Sequence, residues 1–167
     1  YKADVFGGGD DQLFWLSAYQ AGVWANVVNT LGVHYSPSNK LINGINSIET
    51  PISCTLGDTN SDAMQLNAVG INTVYSGFGT GIKTWGNRSL AFPSSALMTT
   101  FMSVQMVRDI LHESVQLAAS AYADLPIDLA FIDTVKNNVQ AFINTLILSK
   151  ALIDGSCTYN PAKNTPT

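Results

Sequence analysis

Glycines at alternate positions, Gly77, Gly79 and Gly81, form the segment of this sequence that most resembles a ligand-binding loop. Loops that bind phosphate connect a strand to the N-terminus of a helix, where free backbone N–H groups meet the anion. Here the next residues, 82–85, alternate between apolar and polar in the manner of a strand. We therefore expect the loop to join two strands. A small-molecule-binding domain or an enzyme that uses the loop from Gly77 to Gly81 is the alternative.

The other candidate ligand groups do not form a complete site. Residues 58–62 imitate the start of a calcium loop, but a calcium loop needs glycine at its sixth position and glutamate at its twelfth. Ala63 and Val69 occupy those positions. His34 and His112 stand alone, without the paired spacing that metal sites use. The sequence therefore predicts no metal site and no cofactor.

The residues whose types could serve in catalysis also have simpler structural explanations. No Gly-x-Ser-x-Gly motif marks a nucleophile. Carboxylate pairs occur at Asp10 with Asp11 and at Asp124 with Asp128, which are the residue types of acid–base catalysis. Each pair also precedes a predicted helix, where a carboxylate caps free N–H groups and interacts favourably with the helix dipole. We therefore expect a protein that is not an enzyme.

Composition favours a subunit of a larger assembly. Charged residues make up only 12% of the chain and apolar residues 46%, so much of the surface is uncharged and suits packing against protein partners. The net charge of −4 and the scattered basic residues argue against binding to nucleic acid. No apolar stretch approaches the roughly 20 residues that cross a bilayer, so we expect no membrane insertion. Cys54 and Cys157 are expected to be reduced thiols of an intracellular protein.

The pattern of apolar residues predicts an α+β fold. Strands are expected from Ala68 to Tyr75 and from Ile82 to Leu90, forming a hairpin within a small mixed sheet that includes edge strands. Helical periodicity covers residues 13–31, 101–123 and 126–152, with a short helix at 62–67. We expect the long helices to pack against the sheet, Asp128 to lie near a helix N-terminus, and Gly155 to end the last helix.

Three segments resemble, in the same order, the sequence pattern of contractile tail sheath proteins. The first is HYSPSNK at 34–40 with INGI at 42–45. The second runs from NAVGIN at 67–72 to RSL at 88–90, and the third is QMVRDILHESV at 105–115. Sheath proteins surround the tail tube of contractile phages and of related injection systems, and the central segment is the most specific of the three.

The resemblance implies a mechanical function. A sheath subunit polymerises around the tail tube and contracts to drive the tube through the target cell envelope, using stored conformational energy and no nucleotide. The implied partners are other sheath subunits in a helical lattice of stacked rings, the tail tube protein, and baseplate and terminator proteins. The implied location is the virion tail, assembled in the host bacterial cytoplasm. Another oligomeric virion scaffold protein is a further alternative.

The resemblance also implies how the chain is organised. Residues 1–167 are expected to be a single tube-proximal core domain, with residues 156–167 beginning a C-terminal linker or arm. Sheath proteins normally extend further, so we expect the chain to be a piece of a longer subunit. Members of the family usually carry charges in their last helices, whereas residues 118–122 have none.

Site residues follow from the same resemblance. Arms of neighbouring subunits are expected to add strands to the core sheet, because strand addition links subunits through backbone hydrogen bonds. The residues expected to share strands are Ala68, Val69, Ile71, Thr73, Ile82, Thr84, Cys157, Thr158 and Tyr159. One of the two long helices is expected to face the tube. From helix position and charge alone, the basic residues it would offer to acidic tube groups are Arg108, Lys136 or Lys150.

Overall fold

The computed structural model describes residues 2–3 and 12–163. It consists mainly of helices and one hairpin of two five-residue strands. The α+β class predicted from the sequence is confirmed. The strands in the described ranges pair antiparallel, where the sequence had suggested a mixed sheet. Two compact units are formed, Tyr1–Met106 and Val107–Thr167. The elements are β1 (Lys2–Ala3), β2 (Gln12–Leu13), α1 (Leu16–Thr30), α2 (Asp62–Ala68), β3 (Thr73–Gly77), β4 (Gly81–Trp85), α3 (Met102–Ser120) and α4 (Leu129–Leu148), with 3₁₀ turns at Met98–Thr100 and Pro161–Lys163.

In the first unit the hairpin of β3 and β4 shares a core with α1. The buried centre of this core is Ile42, Val74 and Ile82. Leu16, Tyr19 and Val23 of α1 pack against it. Because burying one such aliphatic side chain contributes about 1.5–3 kcal/mol, this cluster orients the hairpin relative to α1.

Helix α1 is shorter at its start than the predicted segment 13–31, because Gln12 and Leu13 belong to β2. Its N-cap residue is Trp15, and the predicted caps Asp10 and Asp11 lie outside the described residues. The predicted end is confirmed, since Gly32 has φ of +117° and its N–H donates to the Val27 carbonyl. Glycine adopts this conformation without the steric cost that a side chain would add.

The predicted short helix near Asp62 is confirmed as α2. The Asp62 carboxylate accepts hydrogen bonds from the Ser53 N–H and the Ser53 hydroxyl, each 2.9 Å long. These bonds stabilise the charged form and hold the pKa of Asp62 below its usual value. The loop before α2 is thereby tied to the first turn of the helix.

The second unit contains α3 from Val107 onward and α4, and the connection between the two helices packs against α4. The Tyr122 and Phe131 rings meet edge to face with centroids 5.6 Å apart, and the Asn138 amide donates to the Tyr122 hydroxyl. The predicted cap at Asp128 is confirmed, because its carboxylate accepts the Phe131 N–H at 2.7 Å. None of the described helices combines the length and the apolar character that a membrane span requires.

The end of α4 differs from the prediction that Gly155 terminates it. The helix ends at Leu148, and Lys150 takes the left-handed conformation with φ of +63°. The Lys150 N–H donates to the Ile147 carbonyl and the Ala151 N–H to the Leu146 carbonyl. These two bonds satisfy the last carbonyls of the helix in the manner of a Schellman motif, in which glycine is the usual residue.

Candidate strand-sharing interface

The hairpin that the sequence placed at the centre of the chain has a defined register. Thr73 lies opposite Trp85, Tyr75 opposite Lys83, and Gly77 opposite Gly81. The predicted alternation in β4 is confirmed, because Ile82 and Thr84 are buried while Lys83 is partly exposed. One face of β4 therefore contributes to the core.

The outer edge of β4 is already paired within the chain. The Asn39 N–H donates to the Thr84 carbonyl at 2.7 Å, and the Thr84 N–H donates to the Lys40 carbonyl at 2.9 Å. The Ile42 N–H donates to the Ile82 carbonyl at 2.9 Å. Residues 39–42 thus act as a third, antiparallel strand, and Leu41 lies opposite Lys83.

The Thr84 side chain strengthens this pairing. It is only 4% exposed, and its hydroxyl donates to the Pro37 carbonyl at 2.6 Å. The same oxygen accepts the Lys40 N–H at 3.1 Å. Because these groups lie away from water, the hydroxyl satisfies backbone atoms that would otherwise lose their hydrogen bonds.

The outer edge of β3 is different. In an antiparallel ladder, successive residues direct their backbone groups to opposite edges. Since Ile82 and Thr84 bond to residues 39–42, the residues opposite them, Ser76 and Val74, direct their N–H and C=O groups away from β4. No other strand pairs with β3 within residues 12–163. Within residues 12–163 this edge is therefore left without a strand partner; Ser76 is exposed there, whereas Val74 is only 2% exposed.

Three of the residues predicted to share strands do not lie on a strand. Ala68 is the last residue of α2, Val69 is its C-cap, and Ile71 lies in the following loop. Gly70, with φ of +83°, turns the chain, and a Cβ there would lie 2.5 Å from the Phe92 carbonyl oxygen. The prediction that a strand runs from Ala68 is wrong because α2 and this turn occupy those residues.

The second strand also ends earlier than predicted, at Trp85 instead of Leu90. Gly86 has φ of +109°, and a Cβ there would collide with the Asn72 side chain. The Asn72 side chain forms two hydrogen bonds to the backbone of Arg88. Its Nδ2 donates to the Arg88 carbonyl at 2.8 Å, and its Oδ1 accepts the Arg88 N–H at 3.2 Å. The sequence pattern predicts no role for Asn72. Its place two residues after Gly70 and directly before the strand is the available signal.

The segment containing Cys157, Thr158 and Tyr159, predicted as a strand, belongs to no strand within the described residues. It is instead bound to α4 by Gln140. The Gln140 side chain donates to the Gly155 carbonyl at 3.2 Å and accepts the Cys157 N–H at 2.8 Å. One amide group thus forms the pair of bonds that a neighbouring strand would form.

The glycine loop is exposed and leads into β4, as expected of a hairpin connection. The Phe78 side chain, at the tip of the loop, is fully exposed, and the Thr80 N–H donates to the Gly77 carbonyl at 3.1 Å. This geometry does not place free amides at a helix N-terminus, so it does not support the nucleotide-binding alternative.

The three basic residues predicted to face a tube are all exposed on the second unit. Arg108 lies on α3, where its side chain is 3.8 Å from the Asp109 carboxylate. Lys136 lies on α4, and Lys150 follows the end of that helix. They therefore remain accessible to an acidic partner.

Two titratable side chains, Cys54 and Tyr75, have raised pKa values. Burial raises the pKa of the Cys54 thiol, and burial is also the main cause that raises the pKa of the Tyr75 hydroxyl, with a smaller contribution from Cys54. Cys54 and Cys157 are both unpaired. Among the residues that the structure describes, no three His, Cys, Asp or Glu side chains converge as metal ligands would.

Comparisons with known proteins identify relatives of this fold. The chain is 36% identical over 149 residues to the tail sheath protein of Burkholderia phage BcepMu, which covers 89% of this chain and 31% of the relative. It is 26% identical over 159 residues to the major tail sheath protein of Serratia phage KSP20, covering 95% of this chain and 39% of the relative. This chain is a homologue of the phage tail sheath proteins. The resemblance predicted from three short segments is thereby confirmed.

Solved structures agree with this homology at the level of the fold. The sheath complex of an extracellular contractile injection system, PVC, in its contracted state, superposes with a TM-score of 0.73 at 22% identity. It covers 93% of this chain and 40% of that chain. The chain therefore spans about a third of the curated sheath relatives and 40% of this solved sheath chain. No protein-family model matches the sequence.

Proposed function

We propose that the chain is a structural, non-enzymatic part of a contractile tail sheath subunit. The observation that carries this proposal is the homology to phage tail sheath proteins over 89% of the chain or more. The contracted sheath with the same fold supports it. In this function the subunit polymerises around a tail tube and contracts to drive the tube through a cell envelope. The virion tail is then its location, after assembly in the host bacterial cytoplasm.

The chain is proposed to form the tube-proximal core of the subunit, with residues from 156 onward beginning an arm. Contraction requires neighbours that stay linked while they slide and rotate. Backbone hydrogen bonds between strands of different subunits provide such links without depending on particular side chains. Other sheath subunits, the tube protein, and baseplate and terminator proteins are the proposed partners.

Within this function, the outer edge of β3 is proposed to receive a strand from a neighbour. The arguments are the outward backbone groups of Val74 and Ser76 and the pairing of β4 with residues 39–42. Thr73 lies on the same strand, but it is buried and directs its backbone groups toward Trp85 of β4, so it is proposed to support the interface from inside. Ile82 and Thr84 are proposed to support the interface from inside, as part of the paired central strand.

The segment 157–159 is proposed as the start of the arm that a subunit lends to its neighbour. Gln140 keeps the backbone of this segment engaged at Gly155 and Cys157, which sets where the arm leaves α4. A segment whose start is already oriented loses less conformational entropy when it pairs with a neighbouring sheet.

Electron microscopy of the full-length protein tests the function itself. Hollow, striated polymers of sheath type are the expected result. A protein that stays monomeric at high concentration, or that binds a small molecule saturably at the glycine loop, would contradict the proposal.

Ser76→Pro tests the strand-receiving edge. Proline removes an outward N–H and places its ring at the edge, while the bonds between β3 and β4 remain. We expect the protein concentration needed for polymerisation to rise about tenfold or more, because the backbone bond is lost and the proline ring obstructs the edge. The unfolding midpoint of the unpolymerised protein should change little, and Ser76→Ala is the matched control. Normal polymerisation of Ser76→Pro would rule out this edge.

Charge reversal tests the tube-facing residues. With Lys136 and Lys150 changed to Glu, assembly in the presence of tube should weaken, because acidic tube groups would then repel them. Tube-free polymerisation serves as the control. If tube-dependent assembly is unchanged, these lysines do not face the tube.

A further inference from the structure

The side chain of Arg88 is held between two aromatic rings in the first unit. Its guanidinium carbon lies 3.7 Å from the centroid of the Phe92 ring and 4.5 Å from that of Phe101. The backbone of Arg88 is fixed as well, through two bonds to Asn72 and a β-bridge to Phe101. The guanidinium therefore has little freedom to turn or to swing into solvent.

The two rings cover part of the guanidinium but supply no hydrogen-bond acceptor. The N–H donors of arginine lie in the plane of the group, whereas each ring contact is to its central carbon. Within residues 12–163, the structure shows no hydrogen-bond acceptor and no carboxylate at these donors. The ion pair that the structure shows within these residues is a different one, between Arg108 and Asp109. Arg88 is partly buried, so some of its hydration is lost without replacement by a protein acceptor.

A carboxylate is the group that fits these in-plane donors. Two parallel N–H donors of a guanidinium match the two oxygens of a carboxylate, and a positive charge between apolar rings is less screened than one in water. Aromatic stacking also holds the fork in one orientation, so binding would cost little further loss of side-chain freedom.

We propose that Arg88 binds an Asp or Glu carboxylate of a second copy of this chain. A second copy supplies the required chemistry, because the chain has 12 acidic residues against eight basic ones. This inference rests on the proposed assembly of copies into a sheath. It goes beyond strand addition, because it assigns a side-chain contact that fixes the position of one copy against another.

Assembly of matched arginine variants tests the proposal. Arg88→Met keeps the apolar stem between the rings and removes the charge, whereas Arg108→Met removes the chain's other arginine, which already has a partner. In the absence of tube, we expect the concentration needed for polymerisation to rise about tenfold or more for Arg88→Met. It should stay unchanged for Arg108→Met.

The unfolding midpoint of each unpolymerised variant separates this role from a purely internal one. If Arg88 serves only to hold Phe92 and Phe101 together, Arg88→Met should lower the midpoint and leave the polymerisation of the folded protein unchanged. That result would overturn the proposal. If the wild-type protein itself does not polymerise, both the proposal and the sheath function fail. If wild type and Arg88→Met polymerise equally well, only the contact at Arg88 is wrong.

Zero-length cross-linking identifies the partner carboxylate. A minority of unlabelled Arg88→Lys subunits is polymerised with ¹⁵N-labelled wild type, and a carbodiimide then couples the new lysine amine to a carboxylate in contact with it. A cross-link from the unlabelled peptide to a labelled acidic peptide supports the proposal. Cross-links confined to one chain, or none in well-formed polymers, would overturn it.

Discussion

The outer edges of β3 and β4 carry the same kind of backbone groups, yet the chain itself pairs only one of them. Residues 39–42 bond to β4 through three backbone hydrogen bonds of 2.7–2.9 Å. On β3, the groups of Val74 and Ser76 point to an edge that no strand within residues 12–163 occupies. The difference shows that suitability for strand addition depends on what the rest of the chain leaves uncovered.

Each edge also has a characteristic side chain. At β4, the buried Thr84 hydroxyl bonds to backbone atoms of residues 37 and 40. At β3, Ser76 is exposed and its position tolerates a polar group. A buried hydroxyl with several partners stabilises a permanent pairing, whereas an exposed edge is available for a pairing that forms only on assembly.

The largest expected effect concerns the end of β4. Gly86→Ala introduces a side chain at φ of +109°, against Asn72. We expect a loss of about 3 kcal/mol in the free energy of unfolding, from backbone strain together with the collision. Gly79→Ala is the control, because Gly79 has φ of +67° with nothing within 4 Å, and it should lose about 1 kcal/mol. Denaturant unfolding measures both, and equal losses would mean that the end of β4 is not tightly held.

Removing the Thr84 hydroxyl comes next in size. Thr84→Val keeps the shape of the side chain but leaves the Pro37 carbonyl and the Lys40 N–H without this partner. A loss of about 2 kcal/mol is expected. Ser76→Ala on the exposed edge should stay within about 0.5 kcal/mol of wild type. Similar values for the two variants in denaturant titrations would remove the contrast between the edges.

Amide hydrogen exchange should show the smallest difference and the most direct one. In the unpolymerised protein, the Thr84 and Ile42 amides should exchange about tenfold or more slowly than that of Ser76, because the Thr84 and Ile42 amides are bonded to backbone carbonyls while Ser76 is exposed on the unpaired edge. After polymerisation, the Ser76 amide should become protected as well. Exchange at β3 that does not change on polymerisation would place the added strand elsewhere.

Sequence reasoning succeeded where neighbouring residues decide the structure. The alternation at Ile82 to Trp85, the cap at Asp128 and the break at Gly32 all depend on residues within a few positions of each other. It failed at Ala68 and Val69, where β-branched and apolar residues continue past the end of α2. There the turn at Gly70 packs against Phe92, more than 20 residues later in the chain.

The candidate interface was predictable only in part, for the same reason. The hairpin was found, but both of its strands were expected to share their edges. The pairing that covers β4 joins residues separated by 44 positions, as in the bond between Thr84 and Lys40. The binding of Cys157 by Gln140 and the stacking of Arg88 between two rings likewise had no local signal.

By itself, the sequence determined the class of fold, the hairpin and the helices, because hydrophobic period, caps and turn residues act over a few positions. It also showed the similarity to sheath proteins, through three short segments that occur in the same order. Only the tertiary structure decided which strand edge has no strand partner within residues 12–163 and which arginine lies against two aromatic rings. Those properties depend on which segments, distant in sequence, pack against a given strand edge or side chain in the folded chain.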